Sequence, residues 1–437
     1  MCGIAGLILE ELDPRGAGWV TAMTQRLYHR GPDDGGAVVF GIGGTPVVHR
    51  ALGRPEEEVH WPHIVASVGL GCRRLAIIDL SSAGRQPMSS PDGQVWLVFN
   101  GEIYNHEALR DDLRGRGMAF VGGSDTEVLL AAYRAWGRDC FARLEGMWAA
   151  AIVDWGARQV FLSRDRLGIK PLYLTRFERG IAFASEIKSL LLLPGAMQGV
   201  NETRLRDFLS EGLVDHTDDT LFEGIWSMPP GCWAEVDLRI HGSMQTVGSV
   251  CRYWRPDGSG SHRQDAGATH RQEGGATHRQ DAGATRVLAA LRDAVRSHLR
   301  SDVPVGSCLS GGLDSSAVVS LVQGIAAEHT NVVANWSQHT FTATLPGSPL
   351  DETRHAEAVV QASPGLLWHT TAPTAERLLE AMPALIWHQE QPFGSPSIYL
   401  QWEVMRLARE TGVTVLLDGQ GGDELFCGYE GYLPPYL

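Results

Sequence analysis

Three near-identical octads of the form HRQ(D/E)(A/G)GAT occupy His262 to Thr285 and separate two stretches of chain with different hydrophobic periodicities. Eight residues carry an α-helix about 80° past two full turns, so equivalent octad positions share no face and build no apolar stripe. An octad is also shorter than one unit of the common solenoids. With almost nothing to bury, the repeat reads as a solvated, flexible linker, and its histidines have no acidic or thiol ligands grouped with them at a fixed geometry to make a metal site. A chain of 437 residues exceeds what one hydrophobic core organises. The expected organisation is therefore a first domain over residues 2–254, a linker over 255–285 and a second domain over 286–437.

Before the linker, short apolar or alternating runs at Ile64 to Leu70, Val95 to Phe99, Ala149 to Asp154 and Val160 to Ser163 are bounded by Gly, Pro, Asp and Ser. That is the pattern of strands between turns. One helix stands out among them: Ser124 is placed as an N-cap, and Val128, Leu129, Ala132 and Tyr133 recur at helical spacing. A shorter helical stretch lies near Leu205 to Leu209, and Met228 to Gly231 reads as a turn. A layered sheet sandwich covered by helices accommodates these elements. After the linker, Val287, Leu288, Leu291, Ala294, Val295 and Leu299 mark an amphipathic helix with Thr285 placed as its cap. Strands at Val303 to Leu309, Thr340 to Leu345 and Val413 to Leu417 then alternate with helices at Ala317 to Ile325, Thr374 to Trp387 and Ser397 to Glu410. Such alternation implies a parallel sheet whose ligands bind beyond the carboxyl ends of its strands.

Composition excludes several classes of partner. A formal net charge of -14 with no basic stripe argues against nucleic acid or an anionic membrane surface. The N-terminus lacks the zones of a signal peptide and no apolar run approaches a bilayer span, so a cytoplasmic location is expected. Seven scattered cysteines without C-x-x-C spacing point to neither a zinc site nor a redox pair.

The chemistry begins at Cys2, in the run Met1-Cys2-Gly3-Ile4-Ala5-Gly6. Once an initiator Met1 is removed, Cys2 carries a thiol and a free α-amine on one residue. The amine, with a reference pKa of about 8, can take the thiol proton directly or through one water. A cysteine in that place could equally be a small core residue. The company it keeps decides between the two: His29-Arg30-Gly31-Pro32-Asp33, Arg73 to Asp79, Asn100-Gly101-Glu102-Ile103-Tyr104-Asn105, Gly123 to Glu127 and Arg164 to Tyr173 follow in order.

Over about its first 190 residues the chain thereby resembles the class II glutamine amidotransferases, an N-terminal nucleophile family, and within it the glutamine-hydrolysing asparagine synthetases. The resemblance implies an α+β N-terminal nucleophile sandwich, with stacked antiparallel sheets flanked by helices. It also implies roles. Cys2 attacks the side-chain amide of glutamine, Asn100 and Gly101 form the oxyanion hole, Arg74 takes the α-carboxylate, and Glu102 and Asp125 receive the α-ammonium. A forked guanidinium suits a carboxylate, and paired carboxylates suit an ammonium, so these residue types make chemical sense. Leu167 to Tyr173 and Ser185 to Lys188 are expected to support the glutaminase core.

In the second half, Leu309 closes an apolar strand and Ser310-Gly311-Gly312-Leu313-Asp314-Ser315-Ser316 opens a helix. Strand, Gly-rich turn and helix N-terminus together form an anion site, with hydroxyls of Ser310, Ser315 and Ser316 as extra donors. No Gly-Lys-Ser/Thr follows, so this is not a Walker A loop. The run resembles the pyrophosphate loop of ATP pyrophosphatases, which implies an α/β parallel-sheet domain that binds ATP and Mg²⁺. Leu309 to Ser316 then contact ATP together with Asp418, Gly419 and Asp423, while Asp314 and Asp423 hold the metal. By the same resemblance, ATP adenylates a carboxylate, aspartate in the closest relatives, and ammonia from the first site converts it to the amide. A homodimer is left open.

Three departures qualify this. The family's synthetases commonly carry Glu where Gln420 stands, Cys427 interrupts a Leu-Phe-Gly-Gly-Tyr pattern, and the family's later Arg-Val-Pro-Phe-Leu-Asp segment with its assisting lysine is missing before Leu437. The ATP-binding domain is therefore expected to be incomplete, which leaves a specialised amide ligase, a truncated glutaminase and an ATP-binding pseudoenzyme as alternatives.

Overall fold

The structure, a computed structural model, describes residues 1–41, 45–55, 57–197, 199–239, 247–256, 276–328 and 337–429. The first two octads lie outside these residues, apart from Ala276 and Thr277. The chain divides into two compact units, Met1–Ser259 with Gln389–Pro392, and Gly260–His388 with Phe393–Leu437.

In the first unit, two antiparallel sheets stack face to face. One has seven strands, in the spatial order Ile225–Ser227, Tyr173–Phe177, Gly180–Ala184, Gly3–Asp13, Ala66–Arg74, Asp34–Gly41 and Val47–His49. The other has six, in the order Cys251–Arg252, Cys232–Asp237, Gln159–Arg164, Gly146–Asp154, Val95–Ile103 and Met88–Ser89. Strand side chains alternate between faces, so each long strand contributes to two cores. Ile4, Ile8, Val68, Leu70, Trp96, Val98, Ala149 and Ala151 meet in the layer between the sheets. The opposite face of the larger sheet packs Leu7, Leu9 and Val39 on Val20, Met23 and Leu27 of helix Gly16–Arg26 and its C-terminal end. The opposite face of the smaller sheet packs Leu97, Phe99 and Trp148 on Val128, Leu129 and Ala132 of helix Asp125–Trp136. The expected sandwich covered by helices is thus present.

Two of its helices, Gly16–Arg26 and His106–Gly115, are not evident from periodicity. The first starts at Gly16, where a Cβ would stand 2.6 Å from that of Ala66, so glycine there permits close helix-to-sheet approach at the expense of helix propensity. Tertiary packing supplies the stability that the local sequence lacks. The helix expected near Leu205 to Leu209 runs over Glu202–Glu211, capped by the side chain of Asn201.

The second unit contains a four-stranded parallel sheet in the order Leu367–Thr371, His339–Ala343, Val305–Cys308 and Val415–Leu417. Helices Leu313–Glu328, Thr353–Ala362 and Ser397–Glu410 pack against it through small apolar clusters. Leu367–Thr371 and Thr353–Ala362 have no counterpart among the elements expected from periodicity. The strand is an edge whose side chains are mostly half-exposed, so it lacks the apolar run of a buried strand. One expectation is corrected. Helix Ala276–His298 begins before Thr285, the residue expected as its cap, and includes the third octad. Extending an existing helix needs no new nucleus, and Ala284 favours the extension. Among the described residues, no helix is long and apolar enough to cross a membrane.

Candidate active site

The layer between the two sheets turns polar at one end. On strand Gly3–Asp13 the interior register runs Ile8, Gly6, Ile4 and, one step before the strand, Cys2. On Ala66–Arg74 it runs Val68, Leu70, Cys72 and then Arg74; on Val95–Ile103 it runs Trp96, Val98 and then Asn100 and Glu102. Because side chains alternate strictly, three apolar faces that each end in a polar residue converge on one spot. They form an open pocket that Cys2, Arg74, Asn100, Gly101, Glu102 and Asp125 line together. All six residues expected from sequence to serve glutamine are therefore brought together.

Each is held by local geometry. Arg30 Nε donates to the carbonyl of Cys2 at 2.9 Å, and the Cys2 thiol points at the carbonyl of Leu75 at 3.6 Å. Glu186 anchors Arg30 through an ion pair of 2.9 Å, and also meets His29 and Lys188 at 2.9 and 2.8 Å. Burial alone would raise the carboxyl of Glu186, but these cations hold it well below the usual carboxylate range. The motifs around His29 and Glu186 thus act as a brace behind Cys2.

Gly101 opposes Trp148 in the sheet, and a Cβ there would fall 2.1 Å from the carbonyl of Met147, so only glycine fits. Asn100 is 1% exposed, and among the described residues neither its Oδ1 nor its Nδ2 has a hydrogen-bond partner. Leaving a buried amide unpaired costs about 1–3 kcal/mol, so such a group is expected where a ligand completes it. Asp125 opens its helix behind the Ser124 cap and accepts the amides of Ile103 and Thr126, each at 2.9 Å. Arg74 behaves differently from the free fork expected. Its Nη1 donates to the carbonyl of Ser81 at 3.1 Å and its Nη2 to the carbonyls of Ile78 and Asp79, so the guanidinium gathers its own loop over the pocket.

The pocket also holds residues to which the sequence assigns no site role. Gln86 is oriented by the amide of Phe99, which donates to its Oε1 at 2.6 Å. Lys170, expected only as core support, enters from the loop after strand Gln159–Arg164. Asp165 shapes that loop by accepting the amides of Leu167, Ile169 and Lys170 at 3.0, 2.9 and 2.9 Å, and Arg164 Nε donates to the Lys170 carbonyl at 2.8 Å.

Electrostatics follow from burial. Desolvation, with the charge of Asp125, pushes Glu102 up to about 7 against the opposing pull of Lys170. Burial likewise raises Asp125 and lowers Lys170. The Met1 amine is lowered to about 6, first by desolvation and then by Arg30 and Lys170.

In the second unit, the carboxyl end of strand Val305–Cys308 delivers Leu309 and the loop Ser310 to Gly312 to the start of helix Leu313–Glu328. Gly311 has φ of 100°, and a Cβ there would lie 2.7 Å from the carbonyl of Glu352. The three serines brace this turn. Ser310 Oγ and Ser315 Oγ are 3.0 Å apart, and Ser315 and Ser316 donate to the Gly312 carbonyl at 3.2 and 2.7 Å. Their hydroxyls, expected as phosphate donors, are engaged within the loop in this structure. The segment Asp418 to Asp423 lies directly beside it: a Cβ on Gly419 would approach that of Asp314 to 2.8 Å, and one on Gly422 would stand 2.2 Å from Asp314 Oδ2. Asp314 thus nests on two glycines of the neighbouring loop, and Asp423 follows the second in helix Gly422–Phe426. Gly422→Ala is expected to dislodge the Asp314 carboxylate with the unit still folded, and a crystal structure of the variant alongside thermal unfolding checks this.

Comparison with known proteins finds two families along the chain. Residues 45–247 match the glutamine amidotransferase domain family and residues 286–437 match the asparagine synthase family. An asparagine synthetase (glutamine-hydrolyzing) 1 of Bacillus subtilis is 32% identical, over 100% of this chain and 60% of its own length. The Bacillus subtilis asparagine synthetase (glutamine-hydrolyzing) 3 is 30% identical, over 98% and 63% respectively. A putative asparagine synthetase (glutamine-hydrolyzing) 2 of Methanocaldococcus jannaschii, so named, is 30% identical, over 100% and 77%. The chain spans about three fifths of the length of the Bacillus relatives.

An amidotransferase domain followed by an asparagine synthase domain defines the class to which this architecture corresponds. Within it, the chain belongs to the glutamine-hydrolysing asparagine synthetase family.

Proposed function

We propose that this chain is a glutamine-dependent amidotransferase that makes ammonia at Cys2 and passes it to a carboxylate activated by ATP, with aspartate as the acceptor. The observation that carries this reading is the convergence of Cys2, Arg74, Asn100, Gly101, Glu102 and Asp125 on one pocket. After removal of Met1, the Cys2 amine takes the thiol proton and the sulfur adds to the side-chain amide carbon of glutamine. Asn100 Nδ2 and the Gly101 amide receive the charge that develops on oxygen, and the amine returns a proton to the departing nitrogen as ammonia leaves. Water then hydrolyses the γ-glutamyl thioester to glutamate. Arg74 exchanges loop carbonyls for the substrate α-carboxylate, while Glu102 and Asp125 take its α-ammonium.

In the second unit, Leu309 to Ser316 cradle the polyphosphate with Asp418 and Gly419. The hard oxygens of Asp314 and Asp423 suit Mg²⁺, a fit supported by the nesting of Asp314 against the loop that carries Asp423. Attack of the acceptor carboxylate on the α-phosphate would release pyrophosphate, and ammonia would displace AMP to leave the amide. Release of glutamate and ammonia by the wild-type chain tests the first half. Exchange of pyrophosphate into ATP with a panel of carboxylates tests the second. Gln420, exposed beside Asp418, supports a second reading in which the acceptor is another carboxylate, and exchange with that acid but not aspartate would establish it.

Because Glu102 sits near 7, it must lose its proton to receive an ammonium, so glutamine binding strengthens as pH rises through about 7 and weakens below it. The KM for glutamine should climb on acidification. Glu102→Gln should raise KM roughly 10- to 100-fold and remove that slope. Initial-rate kinetics between about pH 5.5 and about pH 8.5 read both effects.

A further inference from the structure

Among the 37 Lys and Arg residues of the chain only two are lysines, Lys170 and Lys188. Both are buried, at 5% and 6% exposure. A chain that uses arginine at its exposed basic positions keeps lysine at two interior ones, where a compact ammonium that sheds its water can be accommodated and a wide, permanently charged guanidinium cannot. Lys188 is accounted for by its ion pair with Glu186 at 2.8 Å. Lys170 is different. Among the described residues its ammonium forms no ion pair, and its hydrogen-bond partner is the Met1 sulfur at 3.1 Å, a weak acceptor. A buried cation without an ion pair lining a pocket is costly to stability, and the tight loop that Asp165 and Arg164 organise holds it there.

Removal of Met1 takes away that sulfur, and Lys170 and Cys2 line the same pocket. We propose that Lys170 is a positioning residue of the glutaminase, whose unpaired ammonium keeps the α-amine of Cys2 in the neutral form that accepts the thiol proton. The charged and titratable groups around the pair are the Cys2 thiol, Arg30 behind it, Glu102 on the facing strand, Asp125 on its helix, and Asp165 and Tyr104 beside the Lys170 loop. Of these, Arg30 reinforces Lys170, whereas Glu102 and the thiol oppose it. The Met1 amine, one residue away, already feels this balance and is held below its ordinary value by burial and the two cations. A protonated amine cannot take the proton from sulfur, so a nearby cation that disfavours protonation extends the active range toward acid. The same cation favours ionised Glu102, so one side chain readies both the base and the substrate-ammonium site.

This inference rests on the glutaminase reading and is tested within it, on the full chain with Met1 removed, by the pH profile of kcat for glutamine hydrolysis. At saturating glutamine the titration of Glu102 in binding drops out and the acid limb reports the amine. Lys170→Met should move that limb to higher pH by about one to two units, the shift expected from deleting one charge at close range. Lys170→Arg should lower kcat through crowding yet leave the limb in place, because the charge remains. Lys170→Gln, which keeps a polar end, reads the same limb should the Met variant fail to fold. A limb unmoved in the neutral variants overturns the proposal, however far their rates fall, since a packing role lowers rate without shifting titration. Absence of ammonia release by wild type overturns the glutaminase reading itself and takes this inference with it.

Discussion

Cys2→Ala is expected to lower glutamine hydrolysis by roughly four or more orders of magnitude, because no second thiol lines the pocket to form the thioester. Cys72 shares the interior register of Cys2 but is completely buried, and burial raises its thiol well above the ordinary range. It cannot substitute. The change should cost little stability: Cys2 precedes the first strand, and its thiol contributes a single long contact of 3.6 Å to Leu75. Thermal unfolding and ATP binding of the variant should therefore match wild type while glutamate formation vanishes. Unchanged glutamate formation would sink the assignment of Cys2. Labelling by a glutamine-like electrophile offers a second measure, provided that the exposed Cys427 is accounted for as background.

Asn100→Ala is expected to lower kcat for glutamine about 10²- to 10³-fold, the usual consequence of removing one oxyanion donor. Here the stability effect should run the other way. Among the described residues both polar atoms of the Asn100 side chain are buried without partners, so truncation removes an unmet desolvation cost and breaks no hydrogen bond there. A melting temperature equal to or above wild type, with a collapse of kcat, is the expected pair of results. A variant that loses stability in proportion to activity would instead mark Asn100 as structural. Alkylation of Cys2 by a small neutral reagent should persist, since that reaction develops no oxyanion.

Much of the Ser310 to Ser316 loop is legible in the amino-acid sequence, because its determinants are contiguous. Ser310 to Ser316 follow a strand and open a helix within one local segment, and the glycines there answer to backbone geometry that a few residues dictate. No local pattern shows that the serine hydroxyls brace the turn, or that Gly419 and Gly422 press on Asp314 across about a hundred residues. Those contacts depend on strand Val415–Leu417 lying next to Val305–Cys308, a long-range parallel pairing. Helix Gly16–Arg26 is illegible for a related reason: its glycines weaken the local signal, and the first of them is required only by the close approach to Ala66.

The sequence alone names the side chains that line this pocket and their order along the chain, because the motifs that carry Cys2, Arg74, Asn100 and Asp125 are short and contiguous. Tertiary structure alone decided how the pocket is completed. Three apolar registers from distant strands end together at Cys2, Arg74 and Asn100, and that coincidence exists only once two sheets are stacked. It alone decided that Lys170 is buried and, among the described residues, without an ion pair, because desolvation and the placing of counter-charges are properties of packing, which no local run of residues contains.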